Sequence, residues 1–130
     1  MVEKTKSEDI KNANPWPSSE EEGELAVDLY ETKEDLVVQA AIGGVAINDL
    51  DISITNDMIT VRGERNRESK DSIEKVYYNE CFWGPFSRSL VLPHEINADK
   101  AKATIKNGML TIHLPKLVKT KRKTLKIEEE

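Results

Sequence analysis

Cysteine is nearly absent. Cys81 is the only one in 130 residues, so no disulfide can close within the chain. No apolar run approaches the roughly 20 residues that a membrane-crossing helix needs. The opening stretch MVEKTKSEDIKNANP has no apolar core of the kind a secretory signal carries. A reducing cytoplasm is therefore the expected compartment, with no membrane partner. His94 and His113 stand alone, without metal-ligand spacing, so no metal is expected. A glycine-rich phosphate loop is missing, which argues against ATP use and against any cofactor. Cys81 has no histidine close in sequence and is expected to be a packed thiol. The scattered carboxylates read as surface charge, and the chain does not read as an enzyme. Five of the seven aromatics fall within 77–86, where only Arg88 brings positive charge nearby. That is a poor stacking platform for bases. With a net charge of −5, nucleic acid is not the expected partner.

What is present is a polar but foldable chain, 38% apolar and 33% charged, of single-domain length. Its charge is unevenly placed. Residues 1–23 hold six acids and three bases and offer little to bury beyond Val2, Ile10 and Trp16. Such a segment does not offset the entropy cost of ordering and is expected to be a flexible arm. Residues 116–130, KLVKTKRKTLKIEEE, hold six bases and three acids and are expected to be a flexible tail. Its KTKRK run is expected to solvate the tail rather than bind nucleic acid.

Between the tails, residues 24–115 show the period of half-buried strands. Leu25, Val27 and Leu29 alternate with more polar neighbours, as do Leu36, Val38, Ala40 and Ile42 before Gly43–Gly44. Leu50, Ile52 and Ile54 alternate up to Asn56–Asp57, and MITVRGE follows, so a tight hairpin is expected. Phe86, Arg88, Leu90 and Leu92 share one parity and end at Pro93. Ala101, Ala103 and Ile105 lead directly into Asn107–Gly108, then Leu110, Ile112 and Leu114. An Asn-Gly pair between alternating runs demands a type I′ turn. About seven short strands and no long helix predict an all-β, immunoglobulin-like sandwich of two antiparallel sheets. The N-A-D-K stretch after His94 reads as one helical turn.

Residues 64–75 contain eight charged residues among twelve. A connection that long and charged inside a small domain is functional or disordered. At its far end Ile73, Val76, Tyr77 and Tyr78 have the composition of an edge strand. Arg88, on an apolar parity, needs a carboxylate or carbonyl partner or a subunit boundary. A surface arginine on a strand whose parity shifts is the plainer reading.

The ordered motifs carry a resemblance. Ile42-Gly43-Gly44-Val45 is followed by Asp49, Ile52 and Ile59-Thr60-Val61-Arg62-Gly63-Glu64-Arg65. Then come Gly84-Pro85-Phe86-Ser87-Arg88-Ser89-Leu90-Val91-Leu92-Pro93, Ala103-Thr104-Ile105-Lys106-Asn107-Gly108-Met109-Leu110-Thr111-Ile112, Pro115-Lys116, and finally Leu125-Lys126-Ile127. This set resembles the small heat shock proteins (the Hsp20 family), built on the α-crystallin domain. Gly43 stands where that family usually has proline, Glu80-Cys81-Phe82-Trp83 replaces the usual Glu-Arg pair, and the N-terminal stretch is short and polar.

The resemblance implies an ATP-independent holdase that binds partly unfolded client proteins. It implies a homodimer in which the 64–78 segment is exchanged as a strand, with Arg88, Ile73, Val76, Tyr77 and Tyr78 at the dimer interface, and possible assembly into larger oligomers. It also implies that Leu125 and Ile127 dock in a groove lined by Leu50, Ile52, Ile54, Ala101, Ala103 and Ile105. Their spacing by two puts both side chains on one side of an extended tail. A chance L-K-I in a solvated tail and a solvated 64–78 loop are the bland alternatives. A p23-type or CS-domain co-chaperone adaptor, binding one folded partner on a similar sandwich, is the alternative function.

Overall fold

The computed structural model describes residues 22–68, 71–118 and 124–130. Most of the arm expected at 1–23 and the KTKRK run at 119–123 therefore lie outside the described residues. Eight strands form two four-stranded sheets: β1 (Gly23–Glu24), β2 (Asp28–Glu31), β3 (Asp35–Ala41), β4 (Leu50–Ile54), β5 (Met58–Arg65), β6 (Gly84–Val91), β7 (Lys102–Lys106) and β8 (Met109–Pro115). One sheet has the order β1-β6-β5-β4 and the other β2-β3-β8-β7. Two single 3₁₀ turns, Ile47–Asp49 and Ala98–Lys100, precede β4 and β7. The second is the helical turn expected at N-A-D-K, with the Asn97 side chain accepting the Asp99 N–H.

The core lies where the two sheets face each other. Alternation supplies Leu36, Val38 and Ala40 from β3, Ile59 and Val61 from β5, Phe86 from β6, and Leu110, Ile112 and Leu114 from β8. Each of these is nearly inaccessible to water. Burying one such side chain contributes about 1.5–3 kcal/mol, so these central strands hold the fold. Val37 is also buried, although its neighbours across the sheet are Tyr30 and His113 rather than core residues.

Turn chemistry sets the registers. Asn107 and Gly108 have φ of 53° and 76°, the left-handed pair that a type I′ turn requires. This turn abuts the end of β3, where the Ile42 N–H donates to the Gly108 carbonyl at 2.8 Å. Thr55 N–H donates to the Met58 carbonyl at 2.8 Å, closing the β4–β5 hairpin.

Three expectations need correction. Residues 24–30 are not one half-buried strand. The chain pairs Gly23–Glu24 with β6, crosses between the sheets at Leu25–Val27, and joins the other sheet as β2. Only Leu25 of the three alternating residues is buried, because it sits at the crossing. The sheets are also not wholly antiparallel, since β1 runs parallel to β6. Cys81 is exposed rather than packed. It lies in an irregular stretch where Phe82, next to it, takes the inward position against the core.

The β2–β3 hairpin is fastened by an ionic cluster. The Lys116 ammonium donates to Glu31 at 2.6 Å and to the Lys33 carbonyl at 3.2 Å, and His94 Nε2 lies 3.0 Å from the other Glu31 oxygen. The Lys116 bond outweighs an opposing desolvation, and His94 adds to it, so the Glu31 carboxyl is held below the ordinary carboxylate range. A lowered native pKa stabilises the fold above the unfolded-state value and ceases to do so as pH falls through the native one. Thermal melts of wild type and Glu31→Gln should therefore differ at neutral pH, and the gap should narrow as the pH falls below the ordinary carboxylate range and through the lowered native pKa. A gap that persists in acid would rule out the ion pair as its source.

Gly63 supplies a second expectation. A Cβ there would meet Phe86 Cζ at 2.5 Å and the Asp49 carbonyl at 3.1 Å, whereas nothing lies within 4 Å of a Cβ at Gly43. Gly63→Ala should cost about 1–3 kcal/mol in denaturant unfolding, by overpacking against a buried ring. Gly43→Ala should stay near wild type.

Candidate functional site, a groove between two edge strands

β4 and β7 are the outermost strands of their respective sheets. The register shows which side chains turn inward. Leu50, Ile52 and Ile54 stand across from Gly63, Val61 and Ile59, so they share the inner face of the first sheet. Ala103 and Ile105 stand across from Ile112 and Leu110, on the inner face of the second. The Ile96 N–H donates to the Asn56 carbonyl at 2.8 Å, and Ile96 also bridges to Lys116. That ties the chain entering β7 to the turn after β4, so the two edges run along one flank.

These inward side chains are incompletely covered. Leu50, Ile52, Ile54 and Ala101 pack against the core but keep part of their surface, while Ala103 and Ile105 are exposed, Ile105 by 38%. The result is an apolar slot flanked by two strands, each with one unpartnered backbone edge. All six residues assigned to the groove thus line one flank. The tail residues assigned to it do not fill it within this chain: Leu125 is 74% and Ile127 93% exposed.

A second open edge lies on β2. Its four residues are all exposed, and it pairs only with β3. The segment between β5 and β6 is irregular. No strand is formed by residues 66–83 among those described, and residues 69–70 lie outside them. Ile73 and Val76 are half-buried, and Tyr77 and Tyr78 are 79% and 82% exposed. Lys75 lies over the Tyr77 ring at 5.2 Å, and Arg67 over the Trp83 ring at 5.3 Å.

Arg88 does find a carbonyl and a carboxylate, both in its own chain. It donates to the Leu25 carbonyl at 3.2 Å and lies 3.6 Å from Glu24. It thereby holds the residues around β1 against β6 from the inner rim of the sheet.

Two further contacts were not legible from spacing. Phe82 packs so closely on Gly23 that a Cβ there would lie 2.6 Å from the ring. Arg65 donates to the Gly43 carbonyl at 2.8 Å and lies over the Phe86 ring at 5.6 Å. Glycine at 23 and the basic end of V-R-G-E-R are the only sequence traces of these contacts.

No cluster of His, Cys, Asp or Glu among the described residues has the geometry to hold a metal ion. No described helix is long and apolar enough to cross a membrane.

Known proteins share this arrangement. The family model for "Hsp20/alpha crystallin family" matches residues 28–128. Spore protein SP21 of Stigmatella aurantiaca is 35% identical over 102 residues, covering 78% of this chain and 60% of SP21. Small heat shock protein C2 of Rickettsia felis is 34% identical over 115 residues, covering 88% of this chain and 73% of C2. The chain thus spans less than two thirds of the first relative and about three quarters of the second. Among solved structures, heat shock protein 16.0 of Schizosaccharomyces pombe superposes with a TM-score of 0.68 at 29% identity, covering 83% of this chain and all of that one. A family match spanning most of the sandwich and the L-K-I tail, two relatives above 30% identity and a shared fold agree: the chain belongs to the Hsp20/alpha crystallin family, the small heat shock proteins.

Proposed function

We propose that this protein is an ATP-independent holdase that captures partly unfolded proteins on its open apolar edges and keeps them from aggregating. Membership in the small heat shock family supports a chaperone role. The observation that supports the finer reading is that the inward apolar residues of the edge strands β4 and β7 are only partly covered. An extended client segment would bury alternate apolar side chains there and offer its backbone to an unpartnered edge. The driving force is the removal of client apolar surface from water, with no covalent step and no nucleotide.

In this reading residues 24–115 form the working domain, with an arm at 1–23 and a tail at 116–130. Leu125 and Ile127 of the tail compete with clients for the same slot. Each buried side chain contributes about 1.5–3 kcal/mol before the cost of ordering the tail, so a single docking event is weak. Several tails in one assembly hold together by effective concentration, and client or heat shifts the balance. The assembly unit is a homodimer completed by exchange: Ile73, Val76, Tyr77 and Tyr78 of one copy lie along the open β2 edge of the other, with Arg88 at the seam. What supports this is that β2 is a free edge and that the 66–83 segment, with its exposed tyrosines, forms no strand of its own chain among the described residues. Exchange would convert an aggregation-prone edge into a paired one. The cytoplasm is the proposed location.

Light scattering of a heat-labile client should fall when the protein is added without ATP. No suppression at equimolar ratio would overturn the holdase reading. Replacing Leu125 and Ile127 with alanine should reduce larger assemblies to dimers on sedimentation, with the thermal melt unchanged. A folded monomer in the same measurement would refute strand exchange and favour a one-partner adaptor.

A further inference from the structure

The two lips of the groove carry opposite charge. On the β7 side, Lys102 and Lys106 stand across from His113 and Met109, out of phase with the inward Ala103 and Ile105. Lys100 closes the 3₁₀ turn that leads into the strand. All three lysines are exposed, none forms an ion pair among the described residues, and the one acid alongside them is Asp99. The β4 side carries Asp49 and Asp51, both exposed, with no base in Leu50–Ile54 and one exposed base, Arg62 of β5, across from Asp51. Lysines on a free edge discourage edge-to-edge pairing of strands. That accounts for the row on β7. It does not account for the chain's own acidic run, Glu128–Glu130, placed immediately after Leu125-Lys126-Ile127, exposed and without an ion pair among the described residues.

We propose that the groove selects its occupant by charge: the lysine lip of β7 receives Glu128–Glu130 from a second copy of this chain, making the site specific for an extended apolar-x-apolar segment followed by acidic residues. This rests on the docking reading above and adds the chemistry that decides between occupants. At roughly 3.3 Å per residue, the three glutamates lie within about 10 Å of Ile127, and Lys100 to Lys106 span about 20 Å. With Ile127 seated beside either Ala103 or Ile105, the acidic run passes a lysine in either chain direction. On the opposite lip Asp49 repels the same run while Arg62 offsets Asp51, so the lysine row places the tail against β7 rather than β4. Exposed pairs of this kind are individually weak and screened by salt beyond about 8 Å at physiological ionic strength. They therefore tune docking without locking it, and an acidic client segment competes better than a basic one with the same apolar pair.

The test uses the full-length L125A/I127A variant as receptor, since its own tail no longer competes. Two labelled peptides are titrated by fluorescence anisotropy: residues 124–130, TLKIEEE, and the same peptide with glutamine at the three glutamate positions. At about 50 mM salt the acidic peptide should bind roughly three- to tenfold more tightly, and the gap should close near 500 mM. K102E/K106E in the receptor, shown to be folded by its melt, should abolish or reverse the preference. Equal binding of both peptides would overturn the charge selection and leave the docking reading standing. Binding of neither would overturn both. In the otherwise unaltered chain, E128Q/E129Q/E130Q should lower the sedimentation coefficient at low salt. An unchanged coefficient would mean that the acidic run does not support assembly between copies, and would refute Glu128–Glu130 of a second copy as the occupant of the lysine lip.

Discussion

Everything in this molecule depends on the closure of two inner faces against each other along their central strands. Leu36, Val38, Ile59, Val61, Phe86, Leu110, Ile112 and Leu114 are excluded from water because β3, β5, β6 and β8 have neighbours on both sides. A four-stranded sheet has only two such interior strands. Of the four outer strands, β1, β2, β4 and β7, the last three lie at a boundary where cover runs out. The apolar slot and the free edge on β2 are thus the geometric consequence of stacking two narrow sheets. Adding strands would remove these edges.

The open edges are kept manageable by charge rather than by cover. Lys100, Lys102 and Lys106 line β7, and Asp49 and Asp51 precede or lie on β4. At the β2 end, Glu31 is shared between Lys116 and His94 from two other segments, so the base of the exposed hairpin is held while its edge is left free. Arg88 secures the β1 region from the inner rim by a carbonyl and a carboxylate. A half-exposed arginine satisfied in this way suits a boundary position, because its partners can be exchanged for others without stranding a buried charge.

Local pattern carried much of the architecture. Alternation identified the inward residues of β3, β4, β7 and β8, and Asn107–Gly108 specified its turn because both residues must adopt positive φ. The all-β sandwich followed from strand count alone. Where pattern misled, a distant partner was decisive. Leu25, Val27 and Leu29 have the period of one strand, yet the chain changes sheet between them, since Gly23–Glu24 finds β6 and Asp28–Glu31 finds β3. Cys81 belongs to an aromatic-rich stretch that reads as packed, but Phe82 takes the inward position and leaves the thiol in water. Val37 lies on the parity opposite Leu36 and Val38 and is nonetheless buried.

The chain order of apolar and polar residues, with its turn pairs, was enough to determine where most strands lie and which face of most of them is apolar. Those properties involve neighbours a few positions apart, and backbone geometry alone imposes them. Which strands end up at the flanks was decided only by the tertiary structure. So were the alignment of β4 with β7 through the bond between Ile96 and Asn56, and the opposite charges of the two lips. Those depend on pairings between segments tens of residues apart, and no local period records them.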